Sequence, residues 1–210
     1  MARSNAPRLM LVTPAVADAE AFAPTLAAAC AATDIAAVIV RLAAGDERTQ
    51  INRLKTLVRA TEGTETTLVV EGHPEIVARA GADGAHLAGT DALIAALPAL
   101  KPDRIAGAGG LRERHDAMLA AETGADYVLF GEPDKTGHRP AIDAVIERVA
   151  WWAEIFQIPC IAYAAHPSEV ENLAVAGADF IALSDSIWAA DPTRALAEAT
   201  MAMTPREHIA

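Results

Sequence analysis

The sequence predicts a (β/α)8 TIM barrel in a single domain, and three observations carry that expectation. Eight short apolar, β-prone runs alternate with eight helical stretches along the 210 residues. One signature recurs at three helix-to-strand joints: Gly81-Ala82-Asp83, Gly124-Ala125-Asp126 and Gly177-Ala178-Asp179. No shift of composition and no low-complexity linker divides the chain. In each signature the glycine closes an alanine-rich helical stretch, where it supplies left-handed backbone at no steric cost. The apolar run directly behind it opens a strand, which makes the signature the αβ joint of a βαβ unit. An open doubly wound sheet more often stops at about five or six strands, so the repeat count favours closure.

Each element has a local reason. The first strand, residues 8–13, is the apolar run from Leu9 to Val12, broken by Pro14. A helix over 19–32 follows and carries Cys30, then a strand over 36–42 that holds Arg41 near its end. Next come a helix over 48–61, a short strand over 67–70 and a helix over 74–80 with Pro74 in its first turn. The fourth strand spans 84–87, and Asp91 suits the N-cap of a helix over 92–97. A strand over 104–107, a helix over 113–122 and a strand over 127–130 lead into the longest polar loop, 131–141. A helix over 142–156 carries Trp151-Trp152, one of which can pack on the barrel while the other covers a neighbour or a subunit partner. Cys160 lies in the strand over 159–163. The last repeat has a helix over 167–176 begun by Pro167, a strand over 180–183 and a helix over 192–203, with Asp191 as N-cap and Pro192 behind it. Residues 1–203 form the domain and 204–210 a C-terminal tail.

Composition narrows the function classes. Half the residues are apolar (52%) but only 4% are aromatic, so Ala, Val, Ile and Leu must build the core. Seventeen Lys and Arg against 28 Asp and Glu leave a net charge of −11, which argues against nucleic acid or an anionic membrane surface as partner. A small anion is still admissible, because a few local cations can dominate a cleft. Two isolated cysteines without metal spacing indicate a reduced, cytoplasmic protein. The first seventeen residues hold only a brief apolar run, too short for a secretory or membrane-spanning segment.

In such barrels chemistry sits on the loops that follow the strands. Those loops cover 13–18, 43–47, 71–73, 88–91, 108–112, 131–141, 164–166 and 184–191. Arg41 and Glu71 end the second and third strands, and His73, Asp91, His166 and Asp185 complete the rim. Gly107-Ala108-Gly109-Gly110 lacks the full spacing and the first-strand context of a dinucleotide loop.

Taken in this order, the motifs resemble the thiamine phosphate synthase and thiazole tautomerase (TenI) family over nearly the whole chain. Residues 9–13 resemble its opening strand, and Gly81-Ala82-Asp83-Gly84-Ala85-His86-Leu87 is similar to its Gly-Ala-Asp-Gly-Val-His-Leu segment. The run from Gly124 to Gly131 resembles its sixth strand, and residues 177–187 followed by Asp191-Pro192 resemble its eighth. The resemblance implies joining a hydroxymethylpyrimidine diphosphate to a thiazole phosphate, with Mg2+ on the departing diphosphate. It implies Glu71 and Asp91 as metal ligands, and Arg41, Thr136 and Arg139 as substrate contacts. Ala164, Ala165, Ser184 and Asp185 fall where the family holds the thiazole phosphate.

The chain also departs from the family pattern. Gln-x-Arg-x-Lys reads Ile39-Val40-Arg41-Leu42-Ala43, Asn-Asp reads Glu71-Gly72, and the serine after the fifth strand is Gly109. Thr-x-Thr-Lys aligns with Thr136-Gly137-His138-Arg139, Gly-Gly with Ala164-Ala165, and a preferred serine with Asp185. Arg for Lys keeps the charge, whereas the two alanines add methyl groups where backbone must approach an oxygen.

The tautomerase branch needs a phosphate anchor and a proton-moving group but no metal. Its catalytic His follows the sixth-strand glycine, where this chain has Glu132. Glu132 would serve as base if burial raised its pKa, and His138 is the nearby alternative with a pKa already in range. A third reading is a catalytically lapsed barrel that binds a small phosphorylated ligand or a partner protein. The remaining residues have plain structural readings. Arg41 pairs with Glu47 or Glu71, Lys135 is a surface charge, and His86 is a hydrogen-bonded residue of the barrel layer. The expected partner is a small phosphorylated heterocycle, with a homo-oligomer admissible.

Overall fold

Parallel strands paired on both edges bury both faces, so their sequences run apolar without interruption. Eight such strands close on themselves here in a computed structural model, which describes residues 6–189 and 191–203. The strands are β1 (Arg8–Val16), β2 (Ile35–Leu42), β3 (Thr67–Glu71), β4 (Gly84–Ala88), β5 (Ile105–Gly109), β6 (Tyr127–Phe130), β7 (Cys160–Ala164) and β8 (Phe180–Leu183). The helices are α1 (Ala19–Ala32), α2 (Glu47–Ala60), α3 (Val77–Ala80), α4 (Thr90–Leu100), α5 (Arg114–Thr123), α6 (Ile142–Ile155), α7 (Val170–Val175) and α8 (Pro192–Met203). Spatial order equals chain order, and β8 closes the barrel against β1 from Arg8 opposite Phe180 to Leu11 opposite Leu183. The expected barrel is therefore the observed one; the tail over 204–210 lies outside the described residues.

Alternation along each strand sorts the core into two layers. Leu9, Leu11, Val38, Val40, Leu68 and Val70 point outward and pack under the helices. Met10, Val12, Ile39, Val69, Leu129 and Ile161 point inward and fill the barrel. Trp152 is fully buried against Phe156 and Phe130, while Trp151 is half-buried beneath the Arg114 guanidinium, 4.8 Å from its ring.

The Gly-Ala-Asp joints do more than end helices. Gly81, Gly124 and Gly177 all take positive φ, as a helix terminus of this kind requires. The following alanine is buried at each joint, and the aspartate pins the new strand to the previous one. Asp83 accepts from Leu68 N–H at 2.7 Å, Asp126 from Ala106 N–H at 2.7 Å and Asp179 from Cys160 N–H at 2.8 Å. The backbone N–H of each aspartate returns a bond to the carbonyl of the same residue, at 2.9, 2.9 and 3.0 Å. The repeat is a strand clamp at the N-terminal ends of β4, β6 and β8.

Several boundaries differ from expectation, two of them for identifiable reasons. β1 continues past Pro14 to Val16 because its register against β2 shifts between Val12 and Ala15, so the proline meets no ladder acceptor. The buried Thr13 hydroxyl takes over there, accepting from Arg41 N–H at 2.9 Å. Asp91 is not the N-cap of α4: the helix starts at Thr90, Gly89 caps it with φ +91°, and Asp91 sits exposed in the first turn. Acidic charge there still complements the helix dipole.

Replacing Asp179 by Ala leaves the N–H of the fully buried Cys160 without its carboxylate. We expect a loss of about 1–3 kcal/mol, read as a lower urea midpoint at unchanged m-value.

Candidate active site

The C-terminal mouth gathers charge on adjacent strands. Inward parity along the strands brings Arg41 of β2, Glu71 of β3 and His86 of β4 toward the barrel axis, and the loop after β6 adds Glu132. Arg41 Nε meets Glu71 Oε2 at 3.1 Å, one of the two pairings its sequence position suggested. His86 is 1% exposed and hydrogen-bonds on both ring nitrogens, Nδ1 to the Tyr127 hydroxyl at 3.0 Å and Nε2 to Glu132 Oε2 at 3.2 Å. The other Glu132 oxygen accepts from Gly110 N–H. The imidazole stacks on the Tyr127 ring, with centroids 5.8 Å apart and planes 10° from parallel.

This chain exists because β5 has two glycines facing the barrel. A Cβ on Gly107 would fall among the ring atoms of Tyr127, and one on Gly109 would collide with Glu132 Oε1 and stand 2.5 Å from His86 Nε2. The glycines leave space that the neighbouring strands fill with polar side chains.

Electrostatics fix the states of the groups. Burial pushes the Glu132 carboxyl up, but His86, Gly110 N–H and Arg41 outweigh it and hold the group below the usual glutamate range. The condition for a strong base, a raised pKa, is therefore not met: Glu132 is an ionised carboxylate at neutral pH. An ionised carboxylate only accepts, so His86 Nε2 donates the shared proton to Glu132, and Nδ1 pairs with the Tyr127 hydroxyl. Burial, with Glu132, Asp126 and Glu71 nearby, pushes the Tyr127 phenol well above its ordinary value, so it stays protonated.

Glu132 and His138 line one cavity of about 220 Å3 together with Gly110, Leu129, Gly131 and Asp134. The rest of the loop folds around Asp134, whose Oδ1 accepts from Thr136 O–H at 2.6 Å, Thr136 N–H at 2.8 Å and His138 N–H at 3.1 Å. The Thr136 hydroxyl is thus turned into its own loop. Those bonds to Thr136 and His138 hold the Asp134 carboxyl below its ordinary range. Lys135 is exposed.

Arg139 is not an open cation. Its guanidinium binds both Glu169 oxygens at 2.8 Å and donates to Gly131 O at 3.0 Å and Tyr163 O at 2.9 Å. Glu169 Oε2 also accepts from Ala165 N–H at 2.8 Å, occupying the backbone donor that the sequence offered to a phosphate. Ala164 is buried in β7, and Ser184 donates from its hydroxyl to Ala165 O at 2.9 Å. Asp185 opens a 3-10 turn (Asp185–Ala189), and its side chain lies outside the described residues. Glu71 is taken by Arg41, and among the described residues no group of three or more His, Cys, Asp or Glu side chains could hold a metal.

Sequence reading missed Tyr127 and Glu169 as members of these networks. Tyr127 carried a usable signal, since it lies two residues before the inward-facing Leu129. Glu169 carried none: it is 30 residues from its partner Arg139.

A closed parallel barrel with a charged, partly buried mouth defines a small-molecule enzyme scaffold, its site at the C-terminal ends of the strands. A sequence profile of the thiamine monophosphate synthase family matches residues 9–187, and the chain belongs to that family. It is 36% identical over 201 residues to a thiamine-phosphate synthase of Rhodospirillum centenum, covering 91% of this chain and 95% of that protein. A thiamine-phosphate synthase of Hyphomonas neptunium is 34% identical over 190 residues, 86% of each chain. Among solved structures, a thiamine phosphate pyrophosphorylase from Pyrococcus furiosus superposes with TM-score 0.77 at 21% identity, covering 95% of this chain and 96% of that one. A 3-hexulose-6-phosphate synthase from Salmonella typhimurium reaches 0.70 at 15% identity, covering 93% and 98%. Those two likenesses describe the fold alone.

Because the folded-state pKa of Glu132 is depressed, its contribution to stability is complete above the ordinary glutamate value of 4.5 and is lost as pH falls through the lower folded value. Acid unfolding monitored by circular dichroism should therefore steepen below that value in the native chain. Glu132→Gln should flatten this part of the curve.

Proposed function

We propose that the chain joins a hydroxymethylpyrimidine diphosphate to a thiazole phosphate at the barrel mouth. The observation that carries this reading is the 36% identity to the Rhodospirillum centenum protein over 201 residues, 91% of this chain and 95% of that one. In such a coupling the carbon–oxygen bond to the diphosphate breaks, the diphosphate leaves with the electron pair, and the thiazole nitrogen forms the new carbon–nitrogen bond. Positive charge builds on the pyrimidine methylene carbon as the bond breaks. An ionised Glu132 facing the cavity suits stabilisation of that charge, a term that is large where water is excluded.

Arg41, which faces Glu71 and acts on Glu132, would hold the diphosphate by exchanging Glu71 for the anion. Mg2+ would arrive with the diphosphate, since such ions are commonly held by one or two carboxylates plus substrate phosphates. Asp91, exposed in the first turn of α4, would be the protein carboxylate nearest that role. A cytoplasmic location fits the two buried thiols of Cys30 and Cys160, and no helix among the described residues is long and apolar enough to cross a membrane.

A metal-free proton transfer on a thiazole phosphate is the second reading, favoured by one observation: His138 lines the same cavity as Glu132. Its depressed pKa makes Glu132 a weak base, so His138 would carry the proton.

Thermal unfolding separates the readings. A ligand at about 100 times its Kd adds roughly 2.7 kcal/mol. Stabilisation by the pyrimidine diphosphate only with Mg2+, followed by thiamine phosphate formation, supports coupling. Stabilisation by thiazole phosphate alone without coupling supports the second reading, and no shift with either refutes both. Arg41→Ala should weaken diphosphate binding by about 10- to 100-fold, the worth of a charge-assisted hydrogen bond, measured by calorimetry.

A further inference from the structure

Glu132 stands at the mouth, but the groups that place it lie deeper. Behind it, His86 bridges to Tyr127 through two hydrogen bonds of 3.2 and 3.0 Å, and both rings are almost wholly buried. The three residues come from β4, from β6 and from the loop behind β6, up to 46 residues apart. We propose that Tyr127 and His86 are positioning residues that act through Glu132, fixing its carboxylate in one orientation at the cavity. The proposal rests on reading the mouth as the reaction site.

Three features of the packing support it. First, the carboxylate has little freedom, because its oxygens are held separately, Oε1 by Gly110 N–H and Oε2 by His86. Second, the imidazole cannot rotate without losing both the Tyr127 bond and the parallel stack. Third, Tyr127 is itself locked across Gly107, where no other residue would leave room for its ring. The far side of Tyr127 borders a second cavity of about 230 Å3 at the N-terminal end of the barrel, walled by Met10, Ala37, Val69, Ile161 and Phe180. Arg8, Thr67 and Asp126 also line that cavity, and the phenol hydroxyl is directed to His86. The charged groups acting on this chain are Arg41 from β2, Glu71 from β3 and Asp126 just ahead of β6.

The role differs from mere core filling in what it does to turnover. A displaced carboxylate loses its effect on the reacting carbon while substrate contacts elsewhere persist. Misplacement by about 1 Å can cost up to roughly 100-fold in rate. Tyr127→Phe, which removes one oxygen, and His86→Gln, which keeps an amide donor toward Glu132, should each lower kcat about 10- to 100-fold with KM changed less than about threefold. In a Glu132→Gln background the same two substitutions should cost almost nothing further, because their effect passes through the carboxylate.

The deciding experiment measures kcat and KM for the single and double variants, together with the 13C resonance of the Glu132 carboxylate against pH. Near-ultraviolet circular dichroism confirms that each variant is folded, and Tyr127→Phe stands alone if His86→Gln fails to fold. Equal losses in the native and Glu132→Gln backgrounds, or unchanged kcat in both single variants, would overturn the proposal. If the native chain catalyses no coupling, the proposed function fails on its own, and the carbon resonance still decides the positioning. An upward move of the Glu132 titration in His86→Gln, and a changed carboxylate shift in Tyr127→Phe, support it. A resonance identical to the native one in both variants refutes it.

Discussion

The volume inside an eight-stranded parallel barrel is nearly fixed, and every strand must contribute a share of side chain to fill it. Here β5 contributes almost none. Gly107 and Gly109 face the axis, and the space they leave is taken by Tyr127, His86 and Glu132. Most of the mouth depends on this absence: a methyl group at either glycine would collide with the polar chain. The sequence feature that resembled half of a dinucleotide loop is thus a packing device.

Filling a barrel with a polar chain is costly unless each member finds its partners, since an unpaired buried charge is strongly destabilising. The chain meets that requirement at each link. The phenol faces Nδ1, Nε2 faces the carboxylate, and the remaining carboxylate oxygen faces a backbone N–H. Outside the barrel the same economy is achieved with apolar side chains, whose small Ala, Val, Ile and Leu shapes let the helices approach the sheet closely. The three aspartate clamps then hold strand ends in register at the opposite pole from the chemistry. Stability and reactivity are separated along the barrel axis, as is usual for this architecture.

Most of the fold could be read from the sequence because its determinants are local. The runs 127–130 and 180–183 are the observed β6 and β8, and 19–32 and 192–203 are the observed α1 and α8. Pro14 misled the reading of β1, since a proline normally ends a strand and only the register against β2 shows that it sits at an irregularity. The site was legible as positions and not as pairs. Arg139 was visible as a cation in the longest loop, yet its engagement by Glu169 depends on the approach of two βα-loops that no spacing rule connects. The depressed pKa of Glu132 was equally hidden, because it follows from His86, Gly110 N–H and Arg41 on other strands and loops and not from the loop that carries Glu132.

The paired state of the mouth also governs how any anion can enter it. Net charge is a poor guide here, because charges separated by more than about 8 Å are largely screened at physiological salt. What an incoming phosphate meets is Arg41 already facing Glu71, Arg139 already facing Glu169, and Arg112 within 3.7 Å of Asp134. Binding is then an exchange of partners, and its free energy is the difference between the new contact and the one surrendered. For Arg139 the surrendered contact would be bidentate and buttressed by two carbonyls. For Arg41 it would be one ion pair with Glu71, on a partly exposed rim, together with its attraction to Glu132. The geometry therefore separates the two cations in a way that residue type alone could not: Arg41 faces one carboxylate at the rim, and Arg139 is held by a carboxylate and two carbonyls.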